Sequence, residues 1–307
     1  FVMRMIQGTL TGTVPAFMAL VAGFAPAAEA GMALGLMQMA VYMGASVGPL
    51  IGGVVADHFG YRWTFALTGS LLLVAGLLVH FLIKERFEPP KEKNGARDSI
   101  AASADAIVHS MPVLAAIVTL GAFYTGNFTA RPMLPLYVET LLREPGMVNT
   151  RTGTIYGVGA VSSAIAAVAI GRLSDRIGCR AVLIGCSLGA MAGFLAQALS
   201  GAYEALLGAS FTTGFFMGGL LPAANAIVAR DAPPEQRGAI YGLSNSVNAG
   251  SRALGPMLGA AMATAWGLRA PFLASAGVFG LIAVWVLFAV KGGTSVQPSE
   301  VSETSEG

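Results

Sequence analysis

Gly44-Ala45-Ser46-Val47-Gly48-Pro49-Leu50-Ile51-Gly52-Gly53 sets one proline among four glycines, inside an apolar run from 32 to 56. In a helix in water such a proline costs about 3 kcal/mol or more, because it removes a backbone donor and crowds the preceding turn. A membrane helix tolerates it where neighbouring helices re-satisfy the backbone. Glycines at this spacing let another helix approach closely. The stretch reads as the bent, closely packed middle of a helix that spans a bilayer.

Working outward, the whole chain has the same character. It is 55% hydrophobic and 11% charged, where a soluble domain carries about 25% charged residues. Segments of about 20 mostly apolar residues span a membrane. Nine segments qualify, approximately 1–24, 32–56, 63–83, 111–138, 153–171, 181–200, 205–229, 239–266 and 270–290. The breaks between them hold charges and turn residues, as in Asp57-His58-Phe59-Gly60-Tyr61-Arg62. Residues 84–110 form the longest polar stretch and read as a linker between two helical groups, and 291–307 as a disordered tail.

Orientation follows from where lysine and arginine fall. With the linker in the cytoplasm, 11 of the 18 lie on the cytoplasmic side: Lys84, Arg86, Lys91, Lys93, Arg97, Arg172, Arg176, Arg180, Arg230, Arg237 and Lys291. Arg62, Arg143, Arg151 and Arg269 lie opposite, and Arg4, Arg131 and Arg252 lie within spans. The bias predicts a cytoplasmic linker and a cytoplasmic C-terminus.

The opening stretch recurs. At an offset of 207, Gly48-Pro49 and Gly52 return as Gly255-Pro256 and Gly259, and Gly60, Arg62 and Phe65 as Gly267, Arg269 and Phe272. Between 12 and 65, 18 of 54 positions repeat, against roughly a tenth from composition alone. Duplicated bundles related by an axis along the membrane normal are a transporter architecture. The first three spans match the last three, so three further spans are expected ahead of Phe1. The expectation is therefore an all-α membrane protein with nine of twelve spans present, in two pseudo-symmetric halves. Residues 1–83 would close the first bundle, 84–110 link them, 111–290 form a second bundle of six, and 291–307 trail into the cytoplasm.

Three motifs resemble the major facilitator superfamily. Gly44-x-x-x-Gly48-Pro49-x-x-Gly52-Gly53 resembles its antiporter motif. Gly171-Arg172-Leu173-Ser174-Asp175-Arg176-Ile177-Gly178-Cys179-Arg180 is similar to its cytoplasmic loop signature. Arg4-x-x-Gln7-Gly8 resembles its fourth-helix motif. Thr125-Gly126-Asn127-Phe128 with Pro132-x-x-Pro135-Leu136-Tyr137-Val138 is similar to one bacterial multidrug-efflux branch. The sequence departs from the pattern at Ala30, where a helix-entry arginine is common, and at Cys179, where a basic residue is usual. The resemblance implies alternating access by a secondary transporter of the drug–proton antiporter type, with protons as coupling ion and a small molecule as cargo.

The functional candidates follow. Gly44, Gly48, Pro49, Gly52, Gly53, Gly255, Pro256 and Gly259 would pack and bend two helices. Gly171, Asp175, Arg176, Gly178 and Arg180 would form a cytoplasmic gate, or simply express the positive-inside bias. An arginine at the bilayer centre costs about 2.5–3.5 kcal/mol on insertion scales, so Arg4, Arg131 and Arg252 should face the interior, pair or snorkel. The resemblance gives Arg4 a role in proton handling. Gln7, Asn127, Asn225, Asn245 and Asn248 are the other polar groups in spans. Each either binds substrate or makes an interhelical hydrogen bond worth roughly 0.6–2 kcal/mol.

No acid falls in the middle of a span, so a coupling carboxylate is expected on helices ahead of Phe1, unless coupling takes another route. His58, His80 and His109 and the two cysteines lack metal-ligand spacing, and neither a nucleophile elbow nor a phosphate loop is present. The sequence thus predicts no metal, no cofactor, no nucleic-acid partner and no enzyme activity, in a monomer of the cell (inner or plasma) membrane. A nutrient or metabolite permease of the same fold is the competing reading, a membrane-embedded enzyme a remote one. The stretch as it stands is expected to transport nothing by itself.

Overall fold

The computed structural model describes residues 30–82, 110–142, 147–231 and 237–289. Arg4 and Gln7, nearly all of the 84–110 linker and the 291–307 tail lie outside the described residues. The regular structure of the described part is α-helical apart from one 3-10 turn. In order come α1 (Ala30–Phe59), α2 (Tyr61–Leu82), α3 (Met111–Ala130), the 3-10 turn Arg131–Met133, and α4 (Leu134–Leu141). They are followed by α5 (Val148–Ile177), α6 (Cys179–Leu199), α7 (Tyr203–Asp231), α8 (Arg237–Trp266) and α9 (Ala270–Ala289). The chain forms two compact units, Phe1–Gly48 and Pro49–Gly307. In the first, the described residues are the beginning of α1, where a side chain added at Gly44 or Gly48 would meet nothing within 4 Å. Everything below concerns the second.

Among the described residues, six stretches are long and apolar enough to cross a membrane: Tyr61–Phe81, Val113–Leu141, Val148–Ser174, Cys179–Leu199, Tyr203–Val228 and Ala270–Ala289. The helices carrying the repeated Gly-Pro element, α1 and α8, lie outside that set. For α8 the reason is legible: Asn245, Asn248 and Arg252 interrupt its apolar residues. The span expected over 111–138 is not one continuous α-helix. It tightens to 3-10 geometry at Arg131–Met133, because Pro132 and Pro135 each withdraw a backbone donor. The span expected over 153–171 extends to Val148–Ile177, since polar ends such as Asn149 and Arg176 disguise helical residues that continue past the apolar window.

Among the described residues, α3 with α8 and α9, α7 with α5 and α6, and α6 with α9 form the main packed pairs. Their shared core centres on Phe279, which stacks on Phe194 (5.3 Å between centroids) and meets Phe123 edge-on. Tyr137 is buried and its hydroxyl donates to the Ser200 carbonyl at 2.6 Å, tying α4 to the end of α6. Ser275 of α9 donates to the Gly126 carbonyl of α3 at 2.7 Å. In α2 none of the side chains described is buried, and Phe65, Leu71, Leu73 and Phe81 are open to the surroundings.

The internal repeat survives at the level of single hydrogen bonds. Gly60 and Gly267, mates at the offset of 207, have φ of +85° and +88°, a region that glycine enters without strain. Gly60 N–H donates to the Ala56 carbonyl and Gly267 N–H to that of Ala263, each at 3.0 Å. Each glycine carbonyl then accepts from the residue three further on, Trp63 and Ala270. Gly178, between α5 and α6, turns the chain with the same sign of φ.

Candidate functional site

Two polar arrangements stand out, one at mid-helix between α3 and α8 and one at the junction of α1 with α5. The first begins with register. Asn245, Asn248 and Arg252 share a face of α8, and Tyr124, Asn127 and Phe128 share a face of α3, by three- and four-residue spacing. The two helices meet closely because glycine permits it. A Cβ on Gly255 would lie 2.7 Å from Phe128 Cβ, one on Gly259 would collide with the Thr129 carbonyl, and one on Gly121 would lie 2.9 Å from Val247.

That closeness brings Arg252 against two aromatic rings. Its guanidinium lies 4.2 Å from the Tyr124 centroid and 6.0 Å from that of Phe128. Such contacts contribute about 0.5–2 kcal/mol. Arg252 is nonetheless exposed, and no carboxylate forms an ion pair with it among the described residues. Asn248, one turn earlier, is buried at 8% exposure, and its Oδ1 has no hydrogen-bond partner. Asn225 and Asn245 are exposed and Asn127 is half-buried.

Arg131, in the 3-10 turn, lies over the Tyr156 ring at 4.9 Å, and the Tyr156 hydroxyl donates to the Arg131 carbonyl at 2.6 Å. This pair ties the turn to α5. In the proposed gate segment, Gly178 makes the turn after α5, Gly171 has open space at its Cβ position, and Arg176 is exposed. Arg180 donates to the Leu287 carbonyl at 2.8 Å, in the last turn of α9, where a cation is favoured by the helix dipole. The Asp175 side chain lies outside the described residues.

The second arrangement was not among the residues singled out from sequence. Asp57, in the last turn of α1, accepts from Asn149 Nδ2 at 2.8 Å and Asn149 N at 3.3 Å through Oδ1, and from Thr150 N at 2.6 Å through Oδ2. The Tyr61 hydroxyl donates to Asn149 Oδ1 at 3.0 Å. Burial pushes the Asp57 carboxyl up, but the donors from Thr150 and Asn149 outweigh it and hold it below the usual carboxylate value. The Thr150 hydroxyl faces the same group without a hydrogen bond of good geometry. A cap supplied from a residue some 90 positions away leaves no local sequence signal.

Comparison with known proteins agrees with this architecture. The chain is 33% identical over 291 residues to the uncharacterized MFS-type transporter YuxJ of Bacillus subtilis (strain 168), covering 94% of this chain and 74% of that one. It is 31% identical over 288 residues to the multidrug resistance protein MdtG of Salmonella typhimurium, covering 92% and 70%. Among solved structures, a bacterial homologue of the human lysosomal transporter Spinster, inward-facing and unoccupied, superposes with a TM-score of 0.61 at 13% identity, over 91% of this chain and 74% of that one. A single-residue variant of the Escherichia coli fucose:proton symporter FucP superposes with a TM-score of 0.56 at 17% identity, over 87% and 71%. At such identities the structures speak for the fold alone.

Fold and relatives define a multi-span, all-helical membrane protein of the secondary-transporter class, not an enzyme. The Major Facilitator Superfamily model matches residues 1–145 and 124–306, and the chain belongs to that superfamily.

Proposed function

We propose that this protein exports drug-like, amphipathic small molecules across the cell membrane in exchange for protons, by alternating access. The observation that carries the reading is the 31% identity to multidrug resistance protein MdtG over 92% of the chain. The geometry of the α3–α8 seam supports it. Tyr124 and Phe128 offer aromatic faces, and Arg252 and Asn248 add polar groups at mid-helix, a combination suited to molecules with one apolar and one polar end. Asn127, Arg131, Asn225 and Asn245 extend the same pathway, with Arg4 and Gln7 on the segment before Ala30.

In this reading the 84–110 linker and the C-terminus lie in the cytoplasm, as the lysine and arginine distribution favours. The junction of α1 with α5 then lies on the outer side. Gly171, Asp175, Arg176, Gly178 and Arg180 belong to the cytoplasmic closure, and the repeated Gly-Pro helices carry the rocking of the halves. The protein works as a monomer.

The test uses the whole gene product in an efflux-deficient bacterium. Accumulation of a lipophilic cationic dye and of a neutral drug is followed with and without a protonophore. Protonophore-sensitive loss of either compound is the expected result. No change in either, with the protein confirmed in the membrane, overturns the reading and favours a metabolite permease of the same fold.

A further inference from the structure

From the Asp57 contacts we infer that this side chain is a detachable helix cap, closing one end of the transporter and released when that end opens. The inference rests on the transporter reading.

Asp57 sits in the last turn of α1, where a carboxylate faces the negative end of its own helix and gains nothing locally. Helix α5 has the converse defect. Its N-cap position is Met147, in the left-handed region at φ 59° and without a side-chain cap bond. A methionine side chain is a poor acceptor, so the first N–H groups of α5 need a partner from elsewhere. An N-cap side chain ordinarily binds the N–H of the second or third helical residue. Asp57 binds both, Asn149 N and Thr150 N, from another helix. Each helix end remedies the other.

The backbone around this contact is shaped for it. A Cβ on Gly53 would collide with the Asn149 carbonyl, and one on Gly153 with the Pro49 carbonyl. The two reciprocal glycine contacts bring α1 and α5 together just where Asp57 reaches across, and Tyr61 holds the Asn149 amide so that its Nδ2 points at the carboxylate. In sequence the contact joins residues on opposite sides of the 84–110 linker, hence the two halves of the repeat.

The cap is mechanical and not a proton sensor. Among the described residues, the other titratable or charged groups near it are His58, Tyr61 and Arg62 on the first-half side, and Arg151, Tyr203 and Glu204 on the second. His58 Nδ1 is hydrogen-bonded within its own helix to the Val54 carbonyl. The Arg151 guanidinium lies over the Tyr203 ring at 4.8 Å. With its carboxyl held below the usual range, Asp57 stays ionised throughout the physiological pH range.

The experiment places spin labels at His58→Cys and Glu139→Cys, both exposed, in a Cys179→Ser, Cys186→Ala background of the whole gene product in lipid nanodiscs. Pulsed dipolar spectroscopy then reads the ratio of closed to open distances. Asp57→Ala is expected to lower that ratio about fivefold, the size typical of a lost N-cap. Asn149→Ala, which keeps the backbone donors, lowers it less. Between about pH 5 and 8 the parent ratio holds constant. An unchanged distribution in correctly inserted Asp57→Ala overturns the inference, as does a titration midpoint inside that pH window. Should Asp57→Ala fail to reach the membrane, Asp57→Asn decides by the same ratio, since it keeps an acceptor and loses the charge. A purely structural role would lower the unfolding temperature and leave the ratio alone. Shifted distances without drug export would keep the cap and remove the export reading; unchanged distances with protonophore-sensitive export would remove the cap alone.

Discussion

Replacing Gly53 by alanine should destabilise the protein, whereas the same change at Gly185 should not. A Cβ on Gly53 would lie 2.8 Å from the Asn149 carbonyl carbon and 3.0 Å from Thr150 Cα, and closer still to the Asn149 oxygen. Carbon atoms prefer about 3.5–4.0 Å, so α1 and α5 must part by about 1 Å, and both obstacles are backbone. Overpacking of this kind costs about 1–3 kcal/mol. Alanine recovers about 0.8–1.0 kcal/mol of helix propensity relative to glycine. At Gly185, on an exposed face of α6, nothing lies within 4 Å of the added carbon, so only the gain remains. The two variants should therefore differ by the clash alone, about 1–3 kcal/mol. At roughly 2–4 °C per kcal/mol for a domain of this size, their unfolding midpoints in detergent, followed by tryptophan fluorescence, separate by several degrees. Gly153→Ala, which attacks the same contact from the other side, should match Gly53→Ala, and the double variant should fall short of the sum. Equal midpoints for Gly53→Ala and Gly185→Ala would refute the close crossing of α1 and α5.

Three further outcomes are expected. Tyr124→Ala removes the ring nearest the Arg252 guanidinium, a loss of about 0.5–2 kcal/mol, and should raise the half-saturation of drug export about two- to thirtyfold; unaltered export kinetics in both Tyr124→Ala and Arg252→Ala would take this seam out of the pathway. Gly60→Ala and Gly267→Ala force alanine into the left-handed region at about 1–2 kcal/mol each, and the two thermal shifts should agree because the turns share their hydrogen bonds. Because the folded Asp57 carboxyl lies below its ordinary 3.8, its contribution is present above about pH 4 and lost as pH falls through the lowered value; the stability difference between parent and Asp57→Ala should be flat from neutral to mildly acidic pH and shrink only in strong acid.

Much of the fold could be read from the chain because membrane spans announce themselves by length and apolarity. The helical run over 32–56 was legible through Pro49 and its glycines, and the repeat paired residues 60 and 267, whose backbone hydrogen bonds correspond. Boundaries failed where polar residues sit inside helices: Asn149 and Arg151 begin α5, and Arg172 and Arg176 lie near its end. The 3-10 break at Arg131–Met133 was hidden in a continuous apolar run, although Pro132 marks it. Of the site, Arg252 stood out because an arginine in a span is expensive, and Phe128 lay in a stretch with a family resemblance, but nothing local to α3 showed that Tyr124 and Phe128 would face Arg252, more than 120 residues away. Asp57 was invisible as a cap because its partners lie some 90 residues away, and capping rules look only a few residues along the chain.

Met147, at the start of α5, also bears on how the protein is made. During synthesis the acid that finishes α5 is in the membrane about 90 residues before the helix it serves. At the usual pace of about 5–20 residues per second, α1 waits about 5–19 seconds before Thr150 is made. The first N–H groups of α5 then lack their acceptor until the earlier helix meets it, so the first turn of α5 is completed only on the earlier helix. Produced as two separate polypeptides, the halves would each insert, but α5 would stay unwound at its first turn until they found each other.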